Sequence, residues 1–338
     1  MAEQAHPPQA EIFHIIGGYW LSRAVYLAAK LKLADAVGDG RATLPALAAA
    51  TGTRPDGLRR LLRALAAHGI FKAEPDDSFS QTGLSDVLRS GRPGGMRAIA
   101  EVELGHDHYD SWRDVESCLL QGGTAFERLY GMPIFRYYAA HPELEAMFAE
   151  AMTNLTAIAH AGILGAYEFK GFRRAVDVGG GHGAFLAAIL DRNPSAEGVV
   201  FDLPSVIADA AKAEHVQRHK GRLTAAGGDF FQAVPAGGDL YLLKFILHDW
   251  DDGNSIKILA NVRKAIAPQG RLAVVELVLP QPNEPHIGPL MDLNMMVMTG
   301  GVERSAADYG ALLAKAGFRL ERVATTRSPF SVVEAAPA

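Results

Sequence analysis

The sequence predicts an α/β protein in two parts, a helical N-terminal domain over residues 1–105 and a doubly wound parallel sheet over residues 106–338. Three observations predict it. Residues 11–105 carry helical apolar spacing with short polar breaks, and from Arg174 onward apolar strand-like runs alternate with helical patterns. At the head of the second pattern, Val176-Asp177-Val178-Gly179-Gly180-Gly181-His182-Gly183-Ala184-Phe185 reads as a strand running into a glycine turn that opens a helix.

The N-terminal elements follow in order. Tyr19 to Val37 is expected to be one helix whose Leu21, Val25, Leu27, Leu31 and Leu33 form an apolar surface wider than one stripe, so it needs more than one partner. Thr43 to Ala50 is the next helix, Thr51-Gly52-Thr53-Arg54-Pro55 a break, and Asp56 to Ala67 a helix with Leu58, Leu61, Leu62 and Leu65 inward. Gly69 to Glu74 and Phe79 to Thr82, separated by a polar turn, suggest a hairpin, making the domain winged-helix-like. Arg54, Arg59, Arg60 and Arg63 around the second helix raise the rival reading of a DNA-binding regulator. A net charge of −5 and the lack of a basic arm oppose it, so no nucleic-acid partner is expected. The broad apolar helix favours dimerisation instead.

Composition excludes further classes. The chain has 338 residues, 49% apolar and 21% charged, ordinary for a globular protein of two domains. Its single cysteine, Cys118, rules out an internal disulfide framework, and Met1 to Pro8 lacks the charged and apolar regions of a secretory leader. No apolar run reaches bilayer length, so the expectation is a cytoplasmic protein without a membrane partner.

In the second part the strands are expected at Arg174 to Val178, Gly198 to Leu203, Arg222 to Ala226, Asp239 to Ile246 and Arg271 to Leu279. A terminal hairpin follows from Phe318 to Thr325 and Phe330 to Glu334, joined by Arg327-Ser328-Pro329. The glycine turn alone admits two cofactors. Read as Gly-x-Gly-x-x-Ala over Gly179, Gly181 and Ala184, with Asp202 about twenty residues on, it suits a nicotinamide dinucleotide; read as Asp-x-Gly-x-Gly-x-Gly it suits S-adenosylmethionine. Ligands of open parallel sheets bind beyond the carboxyl ends of the strands, and there stand Asp177 with the glycines, Asp202-Leu203, Gly228-Asp229-Phe230, and Lys244 through His248 to Trp250.

This set of strand tips resembles the small-molecule O-methyltransferases of plants and actinomycetes, the family of the caffeate and polyketide enzymes, over almost the whole chain. The resemblance implies a Rossmann-like seven-stranded methyltransferase domain, a winged-helix-like dimerisation domain, a homodimer, and S-adenosylmethionine as cofactor with S-adenosylhomocysteine as product. It implies cofactor contacts from Asp177, Gly179, Gly181, Asp202, Leu203, Gly228, Asp229, Phe230, Lys244 and Trp250, with Asp202 on the ribose and Asp229 and Phe230 facing the adenine. Trp250 reads equally well as a core aromatic. The nicotinamide alternative leaves Asp229 and the segment from Lys244 to Trp250 without a role.

His248 is the candidate general base, and the family pattern supplies Glu276 and Glu303 as its helpers. Full proton transfer from a phenol of pKa about 10 to an imidazole of about 6.5 costs roughly 5 kcal/mol, so the base needs help. A carboxylate acceptor is already ionised and needs no base, so a retained His248 favours a phenolic or N-hydroxy acceptor over carboxyl methylation of an aromatic acid. Asn294, Met295 and Met298, with His108 and Trp112, are the expected aromatic-substrate contacts, although the stretch before Gly300-Gly301 is one residue shorter than in the plant enzymes. The segment Gly18 to Arg23 and the following helix resemble bacterial phenazine-tailoring enzymes more than plant ones, which implies secondary metabolism such as antibiotic biosynthesis without fixing the acceptor. No metal is expected: His106 and His108 lack a second ligand cluster, and the acidic run Asp249 to Asp252 reads as a helix N-terminus. His182 departs from the usual small residue of such loops.

Overall fold

The computed structural model describes residues 7–210 and 212–338. It divides into two compact units, residues 1–113 with 135–157, and residues 114–134 with 158–338. This differs from the single cut after residue 105 that the sequence suggests. The reason lies in side chains distant in sequence: buried Arg97 bonds Glu150 at 2.7 and 2.9 Å, and Ala98 and Val102 share a core with Ala151. The helix Pro142–Ala166 contributes residues to both units.

In the first unit a helix runs from Pro8 to Lys30, starting earlier than expected, and ends where Lys32 turns left-handed at φ 51°. A short helix, Leu33–Val37, follows, so the expected single helix is two. Strand β1 (Arg41–Thr43), helices Leu44–Thr51 and Pro55–Ala67, and strands β2 (Phe71–Ala73) and β3 (Ser78–Gln81) complete the wing, with sheet order β1-β3-β2. Gly52, at φ 65°, closes the first of these helices as a left-handed cap. β1 escaped sequence reading because three residues carry no periodic signal. Leu44, Leu47, Leu58, Leu62, Leu65 and Phe71 fill the core. By contrast Ile12, Phe13, Ile15, Ile16, Tyr19 and Trp20 remain 52–72% exposed, an apolar face the single chain leaves uncovered. Arg54 pairs with Asp56 and Arg59 with Asp77, which takes two of the four arginines out of an unpaired basic face.

The second unit is a twisted mixed sheet. Its strands are β4 (Arg174–Val178), β5 (Glu197–Asp202), β6 (Leu223–Gly227), β7 (Leu240–Lys244), β8 (Arg271–Leu279), β9 (Arg304–Ser305), β10 (Phe318–Thr325) and β11 (Phe330–Pro337). The order is β10-β11-β8-β7-β4-β5-β6, with β9 beside β8 as an eighth strand. β10 and β11 run antiparallel and all other pairs are parallel except β11 with β8. β4 sits between β5 and β7, in register Val176↔Val199 and Val176↔Tyr241. The chain therefore reverses direction of winding at β4, which opens a crevice at its carboxyl end. Phe185, Leu186 and Ile189 cover one face, and Ile258, Leu259 and Leu312 the other. β7 stops at Lys244 rather than Ile246 because Phe245 adopts φ 57° and throws the chain into a tight turn, Leu247–Asp249. Among the described residues no helix is long and apolar enough to cross a membrane.

Candidate active site

The crevice begins at β4. Gly179 and Gly183 are both in the left-handed region, and a Cβ there would lie 2.3 Å from Ile246 Cδ1 and 2.6 Å from Val200 Cγ2 respectively. Only glycine fits such positions. The amides of Gly179 and Gly180 donate to Phe201 O at 2.8 and 3.2 Å, so they brace β5, whereas Gly181 faces open space. Asp202, at the tip of β5, accepts from Gly181 N at 2.8 Å and from Leu203 N at 2.7 Å. A carboxylate has roughly four acceptor sites, so capacity remains for a further donor. Leu203 itself is 53% exposed. Gly228 packs against the Phe201 ring, where a Cβ would come within 2.6 Å. Asp229 accepts from Phe231 N, and Trp250 stands edge-on to Phe230 and Phe231 at 6.2 and 4.8 Å. Trp250 thus closes an aromatic corner at the tips of β6 and β7.

Beneath the loop Asp177 is 1% exposed and neither carboxyl oxygen has a hydrogen-bond partner. Burial pushes its pKa up to about 7, opposed by Lys244. Burial likewise lowers the Lys244 pKa, against the pull of Asp177 and Glu276. Sequence reasoning missed His160, whose ring lies 4.7 Å from Phe185; burial and Lys244 lower its pKa to about 3, leaving a neutral imidazole.

His248, Glu276 and Glu303 come together from three elements. His248 Nδ1 lies 3.0 Å from Glu303 Oε1 and 3.9 Å from Glu276 Oε2, and its Nε2 is 3.8 Å from Asp249 Oδ1. Glu276, on β8 and fully buried, accepts from the amides of Ile246 and Leu247 at 2.9 Å each, fixing the turn that carries His248. Burial pushes Glu276 up to about 7, with His248 opposing. Burial disfavours charge on His248, but Glu276, Asp249 and Glu303 outweigh it and raise its pKa to about 10. The ring is therefore oriented through Nδ1, and the surrounding carboxylates favour its imidazolium form.

Three residues that sequence reasoning missed hold this arrangement. Asp292 Oδ1 accepts from Glu303 N at 2.9 Å. Gly301 lies so close to the turn that a Cβ would be 2.0 Å from His248 O, the carbonyl that accepts from Val302 N at 2.8 Å. Arg304, 2% exposed, donates to the carbonyls of Leu247, Trp250 and Val302 at 2.8–3.3 Å and to Asp252. The Gly-Gly-x-Glu-Arg run was visible, but only the Glu had an assigned part. The acidic run resolves as anticipated: Asp251 caps the helix Asp252–Ala265 through Asn254 N at 2.7 Å.

The expected substrate contacts divide between the units. Asn294, Met295 and Met298 lie on the helix Gly288–Met298 and are 8%, 9% and 2% exposed, so Met298 is chiefly core. His108 belongs to the first unit, where it is buried with Nε2 3.0 Å from the Tyr138 hydroxyl, which donates to Asp107. Trp112 is half-buried on the same helix, His106–Arg113.

The O-methyltransferase domain matches residues 112–319, and the O-methyltransferase dimerisation domain matches residues 13–91. The chain belongs to this O-methyltransferase family. The family member is 43% identical over 334 residues to a phenazine O-methyltransferase, PhzM, of Lysobacter antibioticus, covering 98% of this chain and 97% of that protein. It is 39% identical to a 3-amino-4-hydroxybenzoate 4-O-methyltransferase of Streptomyces cremeus, over 96% and 89% of the two chains. The crystal structure of LaPhzM matches at a TM-score of 0.90 with 41% identity, covering 98% of this chain and all of the other. Nitrogen-methylating proteins also occur among the relatives, including a phenazine-1-carboxylate N-methyltransferase of Pseudomonas aeruginosa at 32% identity over 92% of each chain.

Proposed function

We propose that this O-methyltransferase moves a methyl group from S-adenosylmethionine to a hydroxyl of an aromatic secondary metabolite, of phenazine or polyketide type, with His248 as general base. The observation that carries the reading is His248 Nδ1 held 3.0 Å from buried Glu303, with Glu276 alongside. The residues present suit the cofactor: Gly181 leaves open space in the loop, Asp202 retains acceptor capacity, and Asp177 is an orphaned buried carboxylate. When bound, S-adenosylmethionine supplies an electrophilic methyl group. The protein's own part is to orient the acceptor oxygen and take its proton at Nε2. The dimerisation-domain match and the exposed apolar face of the helix Pro8–Lys30 support a homodimer.

The raised pKa of His248 removes the mismatch that an ordinary imidazole would suffer, since a phenol also sits at about 10. It also fixes the pH dependence. His248 must be neutral to accept a proton, so kcat/KM should climb tenfold per pH unit from neutrality and level off near pH 10. Ionisation of the acceptor could produce the same limb. Glu303→Gln should move the limb to lower pH if it belongs to His248 and leave it in place if it belongs to the acceptor. Stability runs in the opposite direction with pH. A folded-state pKa raised from 6.5 to about 10 contributes stability that is complete below pH 6.5 and is lost as pH rises through about 10.

Methylation of a ring nitrogen is the second reading, favoured by the nitrogen-methylating relatives. Calorimetric titration with S-adenosylmethionine, S-adenosylhomocysteine and NAD, followed by a labelled-methyl screen over phenols, N-hydroxy rings, aromatic acids and phenazines, tests all of these. Binding of the adenosyl ligands with label on a hydroxyl is expected. Binding of NAD alone, or a salt-sensitive shift of duplex DNA without methyl transfer, would overturn the reading.

A further inference from the structure

We infer that His248, Glu276 and Glu303 also form a binding site for a borderline-soft divalent cation such as Zn²⁺, and that its occupancy inhibits rather than assists the enzyme. His248 and the two carboxylates offer one ligand atom each within 4.8 Å of one another. A tetrahedral zinc with bonds of about 2.0–2.2 Å needs ligand atoms roughly 3.3–3.5 Å apart. The separations from Nδ1, 3.0 Å to Glu303 Oε1 and 3.9 Å to Glu276 Oε2, bracket that value.

A second observation points to a ligand. Glu276 and Glu303 are 0% and 2% exposed, yet the Oε2 of each lacks any hydrogen-bond partner, and Glu276 Oε2 faces the imidazole. Buried carboxylate oxygens of this kind ordinarily find donors or coordinate metals. Three protein ligands of the His-carboxylate type leave a fourth position for water, and the 19% exposure of the His248 side chain gives a route in.

Inhibition follows from the imidazole's proton count. A neutral ring carries one N–H, so a metal at Nδ1 places the proton on Nε2. Nε2 then has no lone pair with which to receive the acceptor's proton, and the divalent charge also opposes formation of imidazolium. That inhibitory consequence rests on the proposed role of His248, whereas binding rests on the donor set alone.

The test uses the full-length protein stripped with chelator. Co²⁺ titration followed by visible absorption should give one equivalent with the intense bands of a four-coordinate ion, displaced by Zn²⁺. Glu303→Gln should weaken Zn²⁺ binding by roughly 100-fold, and Glu276→Gln likewise, with S-adenosylhomocysteine titration confirming that each variant is folded. Wild-type methyl transfer should be inhibited at the Zn²⁺ concentration that half-fills the site and recover with chelator. No stoichiometric binding, or a cobalt spectrum unchanged in Glu303→Gln, overturns the site while leaving the base reading intact. Binding at the site without loss of turnover keeps the site and removes the inhibitory claim, and His248 as base falls with it.

Discussion

Replacing His248 by alanine is expected to lower methyl transfer to a phenolic acceptor by two to four powers of ten, the usual contribution of a positioned general base. Affinity for S-adenosylhomocysteine should stay within a few-fold, because the residues proposed to hold it, Gly181, Asp202 and Leu203, sit on other strand tips and are tied to one another by the amide bonds to Asp202. The two readouts separate the possibilities. Unchanged turnover would remove the base and favour an acceptor that arrives ionised, a carboxylate above all. A parallel loss of cofactor affinity would instead assign His248 to holding the turn. The variant leaves Glu276 with its two backbone donors, so the turn that carries position 248 retains its support.

Arg304→Met is expected to be the most damaging substitution outside the His248 cluster. The guanidinium gathers the carbonyls of Leu247, Trp250 and Val302 from both sides of His248, while its ion pair with Asp252 has one partner 63% exposed. The exposed pair contributes little. Leaving several buried carbonyls without a donor is the greater loss, on the order of 3–5 kcal/mol. The melting temperature should fall by roughly 10 °C. In the folded fraction kcat should fall with KM little changed, because Arg304 bonds the turn that carries His248, the proposed base. Arg304→Lys should recover little, since an ammonium cannot span carbonyls arranged around a planar fork. A Met variant with wild-type melting and turnover would show that the carbonyls find other donors.

How much of this was legible beforehand depended on whether a feature was local. Strand–helix alternation, the glycine turn, the helix N-terminus after the acidic run and the terminal hairpin are written in short stretches of chain, and residue type with spacing was enough to place them. The polar and aromatic groups at the strand tips could be read because a parallel sheet gathers its carboxyl ends whatever lies between. The resemblance then supplied roles for His248, Glu276 and Glu303, residues up to 55 apart in sequence.

What escaped sequence reading was decided by tertiary contact. No spacing rule announces that Glu276 spends one oxygen on two amides of a neighbouring turn, that Asp292 holds the backbone of Glu303, or that Gly301 is required by a carbonyl 2.0 Å from where a Cβ would stand. The pairing of Arg97 with Glu150 likewise moved the unit boundary away from the residue where the pattern changes. By itself the sequence determined the order of elements and the chemistry offered at each strand end. Only the tertiary structure decided which buried charges face one another, and hence that His248 is lifted to about 10, because desolvation and Coulomb interaction depend on distance in space rather than along the chain.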